Sequence, residues 1–223
     1  MDISGRVSDS DSETAMTDSN TLAQLPADWF RRVDETADED FYREPRFVAH
    51  IDQATIDALS AFYREFIPVG SDVLDLMSSW ISHLPEDLSV GRVAGLGMNE
   101  AELAANPQLS DFCVHNLNDQ PRLPYFEGAF DRVILAVSVQ YLTRPLEVMA
   151  SARAALREGG AICIAMSHRL FPTKAVLAFQ ELGPSERVQL VGHYLKSAGF
   201  FDVVFEDRSP PGADPLWLVI GRR

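Results

Sequence analysis

Polar residues that could do chemistry cluster just after the first apolar run of the sequence. The run VLDL (73–76) contains the acid Asp75, and Ser78, Ser79 and His83 follow within eight residues. A histidine in such a position can orient a substrate or accept a proton, because its charge changes near neutral pH. His83 is equally compatible with a capping role at the end of a short helix, so both readings stay open.

Further polar residues follow four later apolar runs. They are Asn99 and Glu100 after RVAGLG, Asn116 after DFCVH, Ser138, Gln140 and Tyr141 after FDRVILAV, and Ser167, His168 and Arg169 after AICIAM. Gln140 and Tyr141 are candidates for substrate contact or for loop packing, and Arg169 is a candidate for holding an anionic substrate group or a solvated arginine. In an open α/β sheet the residues after the strands meet at one edge, which is where ligands bind.

The elements that must position these residues alternate along the chain. Apolar runs predict strands at 73–76, 92–97, 111–115, 130–137, 161–166, 200–205 and 216–220, with helices at 52–68, 99–107, 145–157, 172–182 and 185–198. Residues 158–160 are predicted to close the helix 145–157. The linker 206–215 has no helical pattern, so the last strand is expected to run antiparallel. The fold class is α/β, a Rossmann-like doubly wound seven-stranded sheet that is mostly parallel.

Charge and composition define three segments. Residues 1–40 carry 11 of the 33 acidic residues and 3 of the 19 basic ones, with few large apolar side chains, so they predict a disordered acidic tail. Residues 41–70 hold an amphipathic helix that Asp52 caps and Pro68 ends. Residues 71–223 form the main domain.

Composition also excludes several classes of function. The formal net charge is -14 and there is no basic stripe, so a nucleic-acid partner is not expected. There is no apolar segment long enough to cross a membrane and no targeting pattern at the start, which favours a cytoplasmic location. The two cysteines, Cys113 and Cys163, are isolated and form no metal-binding motif, so no metal site is predicted.

Four segments together resemble class I S-adenosylmethionine-dependent methyltransferases. They are VLDL, GLGMNEAEL (95–103), LPYFEGAFD (123–131) and LREGGAICI (156–164), in matching order over residues 70–220. LDLMSSWISHLP (74–85) is similar, more narrowly, to an uncharacterised methyltransferase type 11-like subgroup. The resemblance implies S-adenosyl-L-methionine as cofactor and a small-molecule methyl acceptor, without indicating which acceptor, which acceptor atom, or whether a general base is used.

The resemblance also implies roles for individual residues. Asp75 would hold the methionine amino group, Asn116 and the Leu117 amide would meet the adenine, and Ser138 would lie under the methionine end. Asn99 or Glu100 would replace the usual ribose acid, whose position is Gly97. The full set expected to bind the cofactor is Tyr42, Arg46, Asp75, Met77, Ser78, Ser79, Asn99, Asn116, Leu117 and Ser138.

The set includes residues from the segment before the first helix and residues at the positions of the family's glycines. Tyr42 and Arg46 belong to a segment that often forms a lid in related enzymes, and Arg46 suits the methionine carboxylate because a guanidinium can bind it bidentately. Met77, Ser79 and Ile81 stand where the family has glycines, so they do not match. Pro85 leaves room for one or two helical turns after the first strand, with Ser78 or Ser79 as N-cap.

Two other hypotheses remain open. A non-catalytic relative with the methyltransferase fold would bind the cofactor weakly or act through partner contacts, and the missing glycines and ribose acid favour it. A nicotinamide-dependent oxidoreductase would share the sheet, but the G-x-G-x-x-G turn is absent.

Overall fold

A computed structural model describes residues 25–223 of the chain. It contains a seven-stranded sheet of order β3-β2-β1-β4-β5-β7-β6. The strands are β1 Asp72–Leu76, β2 Arg92–Gly97, β3 Asp111–Val114, β4 Phe130–Ala136, β5 Leu156–Met166, β6 Phe201–Asp207 and β7 Trp217–Arg222. The first five strands pair in parallel, and β7 pairs antiparallel with both β5 and β6. The predicted fold class is confirmed.

Six α-helices accompany these strands in the described residues. They are α1 Asp38–Phe41, α2 Gln53–Phe66, α3 Glu100–Ala105, α4 Pro145–Ala155, α5 Leu177–Glu181 and α6 Pro184–Ser197. Local chemistry sets several of their starts. The Asp52 side chain accepts the Thr55 amide at the start of α2, and the Asn99 side chain accepts the Glu102 amide at the start of α3.

The sheet is covered on both faces. On one face the buried side chains of α4 and α6, such as Val148, Met149 and Val191, belong to the same core cluster as Leu74 and Leu96 of β1 and β2. On the other face Leu59 and Phe62 of α2 belong to a second cluster. Because both faces are buried, the central strands read in sequence as nearly continuous apolar runs.

Three sequence predictions about elements need correction. The helix predicted at 172–182 forms only over Leu177–Glu181, after an irregular segment that contains the buried Lys174. Residues 158–160 do not close α4, because that helix ends at Ala155 and β5 already begins at Leu156. No helix follows β1, where one or two turns were expected.

The acidic tail also differs from the prediction. Residues 25–40 have a defined placement, with a 3-10 helix at Ala27–Phe30 and an antiparallel bridge between Arg32 and Val176. Asp38, which the sequence assigns to the disordered acidic tail, is 5% exposed. The disorder predicted for residues 1–24 lies outside the described residues. Within residues 25–223, no helix is long and apolar enough to cross a membrane.

Candidate cofactor and acceptor cavity

A cavity opens at the carboxyl ends of β1, β2, β3 and β4, where the strand order reverses between β1 and β4. Its empty volume is about 1130 Å³, open solvent at the mouth included. Twelve of the residues predicted from sequence line it: Tyr42, Arg46, Asp75, Met77, Ser78, Ser79, His83, Asn99, Asn116, Leu117, Ser138 and Tyr141.

The carboxylate of Asp75 lies at the base of the cavity and is 3% exposed. Its Oδ2 accepts hydrogen bonds from the hydroxyls of Ser78 at 2.5 Å and Ser82 at 2.6 Å. Burial raises the pKa of Asp75 to about 6, although the two hydroxyls act in the opposite direction. No basic side chain of the described residues pairs with it, so the carboxylate is available to a cation in the cavity.

The loop after β1 has the backbone conformation that glycine favours, without glycine. Met77 has φ +59°, and its side chain packs against the core. The next amide, of Ser78, donates to the Leu96 carbonyl at 2.8 Å. A Cβ on Gly97 would lie 2.2 Å from the Ser78 carbonyl oxygen. An acid at position 97 would therefore collide with this loop, which explains why the expected ribose acid is absent there.

Side chains from outside the loop hold it in place of the expected helix. Asn106 donates to the Ser79 carbonyl and to the Ser82 hydroxyl, both at 2.9 Å. Gln108 donates to the Leu84 carbonyl and accepts the Ser82 amide. These bonds satisfy loop backbone groups that a helix would otherwise pair. Ser82 was missed by sequence reasoning, and its seven-residue separation from Asp75 gave no periodic signal.

Residues 32–50, which we call the strap, cross the mouth of the cavity. The Asn99 amide donates to the carbonyls of Tyr42 at 2.9 Å and Arg43 at 3.0 Å. The Asn116 amide donates to Glu39 at 2.7 Å. The strap therefore engages the side-chain NH₂ groups of both asparagines that were predicted to contact the nucleoside. Their side-chain oxygens accept the backbone amides of Glu102 and Asn118.

Glu102, on α3, joins the strap to the loop after β1. Its carboxylate accepts the Arg46 amide and the Ser79 hydroxyl, each at 2.6 Å, and it lines the cavity. Its three-residue spacing from Asn99 is that of a capping box, in which the Glu102 side chain would accept the Asn99 backbone amide. The structure shows that its side chain turns into the cavity instead of back to the Asn99 amide.

A buried ion-pair network fixes the strap to the domain. Lys174 is fully buried, donates to the Thr36 carbonyl at 2.6 Å, and lies 3.3 Å from Asp38 and 3.6 Å from Asp34. Arg32 donates to the same Asp38 carboxylate at 2.6 Å. The other oxygen of Asp38 accepts the Asn118 amide at 2.8 Å. Every charge in this buried network has an opposite partner, as burial requires.

Arg46 presents to the cavity a cation that has no acidic partner within residues 25–223. Its guanidinium lies over the rings of Phe41 at 4.4 Å and Phe171 at 5.6 Å, and one Nη donates to the Phe41 carbonyl. The other Nη is buried without a partner among the described residues. The hydroxyl of Ser138, which also lines the cavity, is likewise buried without a partner there. Buried polar atoms without partners are rare, so these two atoms mark places where a ligand would bind.

Two residues predicted to touch substrate do not line the cavity. Gln140 is buried, and its amide donates to the Val137 carbonyl at 2.8 Å, so it holds the turn after β4. Arg169 is 56% exposed, and its guanidinium pairs with Asp214 at 2.8 Å instead of lining the cavity. Tyr141 does reach the cavity, where its hydroxyl accepts the Phe171 amide and burial raises its pKa.

Comparison with known proteins gives structural relatives only. No family model and no curated protein sequence matches the chain. An S-adenosylmethionine-dependent methyltransferase from Mesorhizobium loti has a TM-score of 0.55 at 18% identity, over 75% of this chain and 100% of its own. The [4+2]-cyclase SpnF has a TM-score of 0.56 at 16% identity, over 75% of this chain and 81% of its own.

A third structure is a putative Haloferax volcanii methyltransferase in complex with the Trm112 methyltransferase activator. Its TM-score is 0.56 at 15% identity, over 76% of this chain and 91% of its own. At such identities these likenesses show the fold and not the activity. The chain has the class I S-adenosylmethionine-dependent methyltransferase fold.

Proposed function

We propose that this protein binds S-adenosyl-L-methionine in the cavity and transfers its methyl group to a small molecule. The observation that carries the proposal is a pair of opposite charges that form no ion pair within residues 25–223. Asp75 offers a buried carboxylate, and Arg46 offers a guanidinium with one nitrogen unpaired, on the lining of the same cavity. An α-amino acid carries the complementary ammonium and carboxylate, so its two ends satisfy both groups.

Other lining residues fit the rest of the cofactor. Ser138, whose hydroxyl has no partner within the described residues, would bind the amino-acid end of the cofactor together with Arg46. Leu117 supplies apolar surface for the adenine. Glu102, whose carboxylate reaches the cavity from α3, takes the part of the ribose acid that Gly97 cannot supply. The cofactor brings an electrophilic methyl group, so the protein has mainly to align the acceptor and exclude water.

Calorimetric titration with S-adenosylhomocysteine tests this proposal. We expect binding by the wild type and affinity at least tenfold weaker in Arg46→Met, because the guanidinium contact with the carboxylate is lost. Arg43→Met is the matched control, since the Arg43 side chain is on the same strap but 70% exposed and pairs only with Asp40. Absence of heat and of a thermal shift at millimolar ligand would overturn the proposal.

The competing function is a non-catalytic protein with this fold. Three observations favour it. Met77 has a positive φ where the family has glycine, and Gly97 has no room for an acidic side chain. The side-chain amides of Asn99 and Asn116 already donate to the strap. It predicts no tight binding of S-adenosylhomocysteine, or binding without methyl transfer to any acceptor. The calorimetric result, followed by turnover assays with radiolabelled cofactor, separates the two functions.

A further inference from the structure

Two imidazoles line the cavity without any hydrogen-bond partner in the described part of the chain. His83, in the loop after β1, is 7% exposed, has φ +58°, and its Nδ1 is buried without a partner. His50, at the end of the strap, packs edge-on against Phe171 with ring centroids 5.4 Å apart. The position of His50 in the cavity was missed by sequence reasoning, because no spacing links it to the strands.

The two histidines differ in what they can offer a ligand. A buried N–H without an acceptor is rarer than an acceptor without a donor, so we assign the His83 proton to Nε2, the nitrogen left to face the cavity. His83 then donates. His50 is less buried and retains a nitrogen lone pair in its neutral form, so it can accept a proton and pass it to solvent.

The electrostatic surroundings keep both rings neutral. Burial lowers the pKa of His83 to about 4, and His50 contributes to that shift. Burial and Arg46 lower the pKa of His50, while Glu102 acts in the opposite direction. Neutral imidazoles are the form that can accept the proton of a hydroxyl group.

The remaining lining excludes a charged acceptor. The carboxylate of Asp38 is held by Lys174, Arg32 and Asn118, and Glu102 is held by the strap and Ser79. If Asp75 and Arg46 bind the amino-acid end of the cofactor and Glu102 binds its ribose, no charged side chain of the lining in the described residues is left to pair with an acceptor. An ammonium or carboxylate acceptor would be buried without a counter-charge, at high cost.

Aromatic side chains shape the same part of the cavity. Phe171 stacks on Tyr141 with centroids 5.8 Å apart and planes 29° apart, and His50 contacts the same Phe171 ring. Trp80 also lines the cavity and is held by a hydrogen bond to the Val48 carbonyl. Flat apolar walls of this kind suit a planar ring.

We propose that His50 and His83 form the acceptor site and that the acceptor is the hydroxyl of an uncharged phenol. This inference rests on the proposed methyl transfer. His83 donates to the phenol oxygen, and the phenol O–H donates to His50. As the oxygen bonds to the methyl carbon, the carbon–sulfur bond breaks with its electron pair going to sulfur. The hydroxyl proton goes to His50 and then to solvent, leaving a methyl ether and a neutral thioether.

The test uses the full chain and a matched series of naphthalene compounds. Histidine C2-proton resonances are followed by NMR with and without S-adenosylhomocysteine, as 2-naphthol, naphthalene, 2-naphthoate or 2-naphthylmethylammonium is added. We expect 2-naphthol to shift the His50 and His83 resonances and to bind at least tenfold more tightly than the other three. His50→Gln and His83→Asn should each remove that preference, and asparagine tolerates the positive φ at 83.

His193→Gln is the control variant, because His193 lies on α6 away from the cavity lining, and it should bind 2-naphthol like the wild type. Equal binding of 2-naphthol and naphthalene, tighter binding of either charged compound, or an unchanged preference in both variants would overturn the acceptor proposal. The calorimetric titration with S-adenosylhomocysteine reports separately on cofactor binding. Binding of S-adenosylhomocysteine without a response to 2-naphthol overturns this inference and leaves the proposed methyl transfer standing. A response to 2-naphthol without binding of S-adenosylhomocysteine overturns methyl transfer and, with it, the acceptor role of the two histidines.

Discussion

At the scale of the residue, the buried carboxylate of Asp75 lowers the stability of the folded chain at neutral pH. Its pKa is raised from 3.8 to about 6 because burial disfavours the charged form. Between these two values the folded chain holds a proton that the unfolded chain has lost. The free energy of unfolding therefore falls as the pH rises through this range, and ionised Asp75 destabilises the protein at neutral pH. A cationic ligand would reverse that cost.

The first prediction follows from this residue. Asp75→Asn should raise the free energy of unfolding at pH 7.5 by about 1–3 kcal/mol, because the buried charge is removed while the amide oxygen still accepts from Ser78 and Ser82. Urea denaturation between pH 4 and pH 8 measures the change, and S-adenosylhomocysteine binding should be lost in the same variant.

As the pH rises from about 4 to about 6, the free energy of unfolding of the wild type should fall, and that of the Asp75→Asn variant should not show this fall. Asp57→Asn, at an exposed site on α2, serves as control and should leave the pH profile unchanged. A variant that is less stable than the wild type at pH 7.5 would show that the carboxylate of Asp75 is compensated inside the protein.

At the scale of the element, the strands were predictable and the loop after β1 was not. A buried strand leaves its signature in a few adjacent residues, and all seven were located from such runs. The loop depends on Asn106 and Gln108, more than twenty residues away in sequence, which replace the expected helix. Such long-range bonds leave no local pattern. The same limit explains α5, where the burial of Lys174 overrides a helical pattern.

The second prediction tests the close contact between β2 and this loop. Gly97→Ala should lower the free energy of unfolding by about 2 kcal/mol or more, since its Cβ would lie 2.2 Å from the Ser78 carbonyl oxygen, a backbone atom that cannot rotate away. Displacing Ser78 also displaces a hydrogen-bond donor to Asp75, so S-adenosylhomocysteine binding should weaken. Chemical denaturation and calorimetry measure the two effects.

Gly192→Ala is the control, because it introduces the same methyl group at a position with room for it. Gly192 lies within α6, and a Cβ there would have its nearest neighbour at 3.9 Å. The higher helix propensity of alanine should stabilise the protein by about 0.5–1 kcal/mol without changing ligand binding. If the two glycine variants behaved alike, the loop would have enough freedom to move away from β2, and its role in placing Asp75 would be refuted.

At the scale of the whole molecule, the site is completed by contacts that join distant parts of the chain. Most residues predicted to bind the cofactor came from the strand ends, where the topology alone places them. His50 was missed because the strap brings it into place, and the strap is held by a lysine about 140 residues further along the chain. Glu102 was missed because its side chain reaches the strap and the loop after β1 from α3, through contacts that leave no local pattern. Acidic residues near position 38 look solvated in sequence, since nothing local shows that Lys174 will neutralise them.

The last prediction concerns the ion pairs between Lys174 and the strap. Lys174→Met removes the cation between Asp34 and Asp38, leaving a buried acid less compensated at a cost of about 3 kcal/mol. If that cost falls on the strap, amide hydrogen exchange over residues 34–46 should become about a hundredfold faster while β4 exchanges as before. Lys196→Met, at the other lysine and exposed on α6, should change neither. Uniformly faster exchange in strap and sheet would mean that Lys174 stabilises the domain as one unit. Faster exchange confined to the strap would mean that this ion pair controls opening of the strap over the cavity, because the same Asp38 also holds Asn118 on the cavity lining.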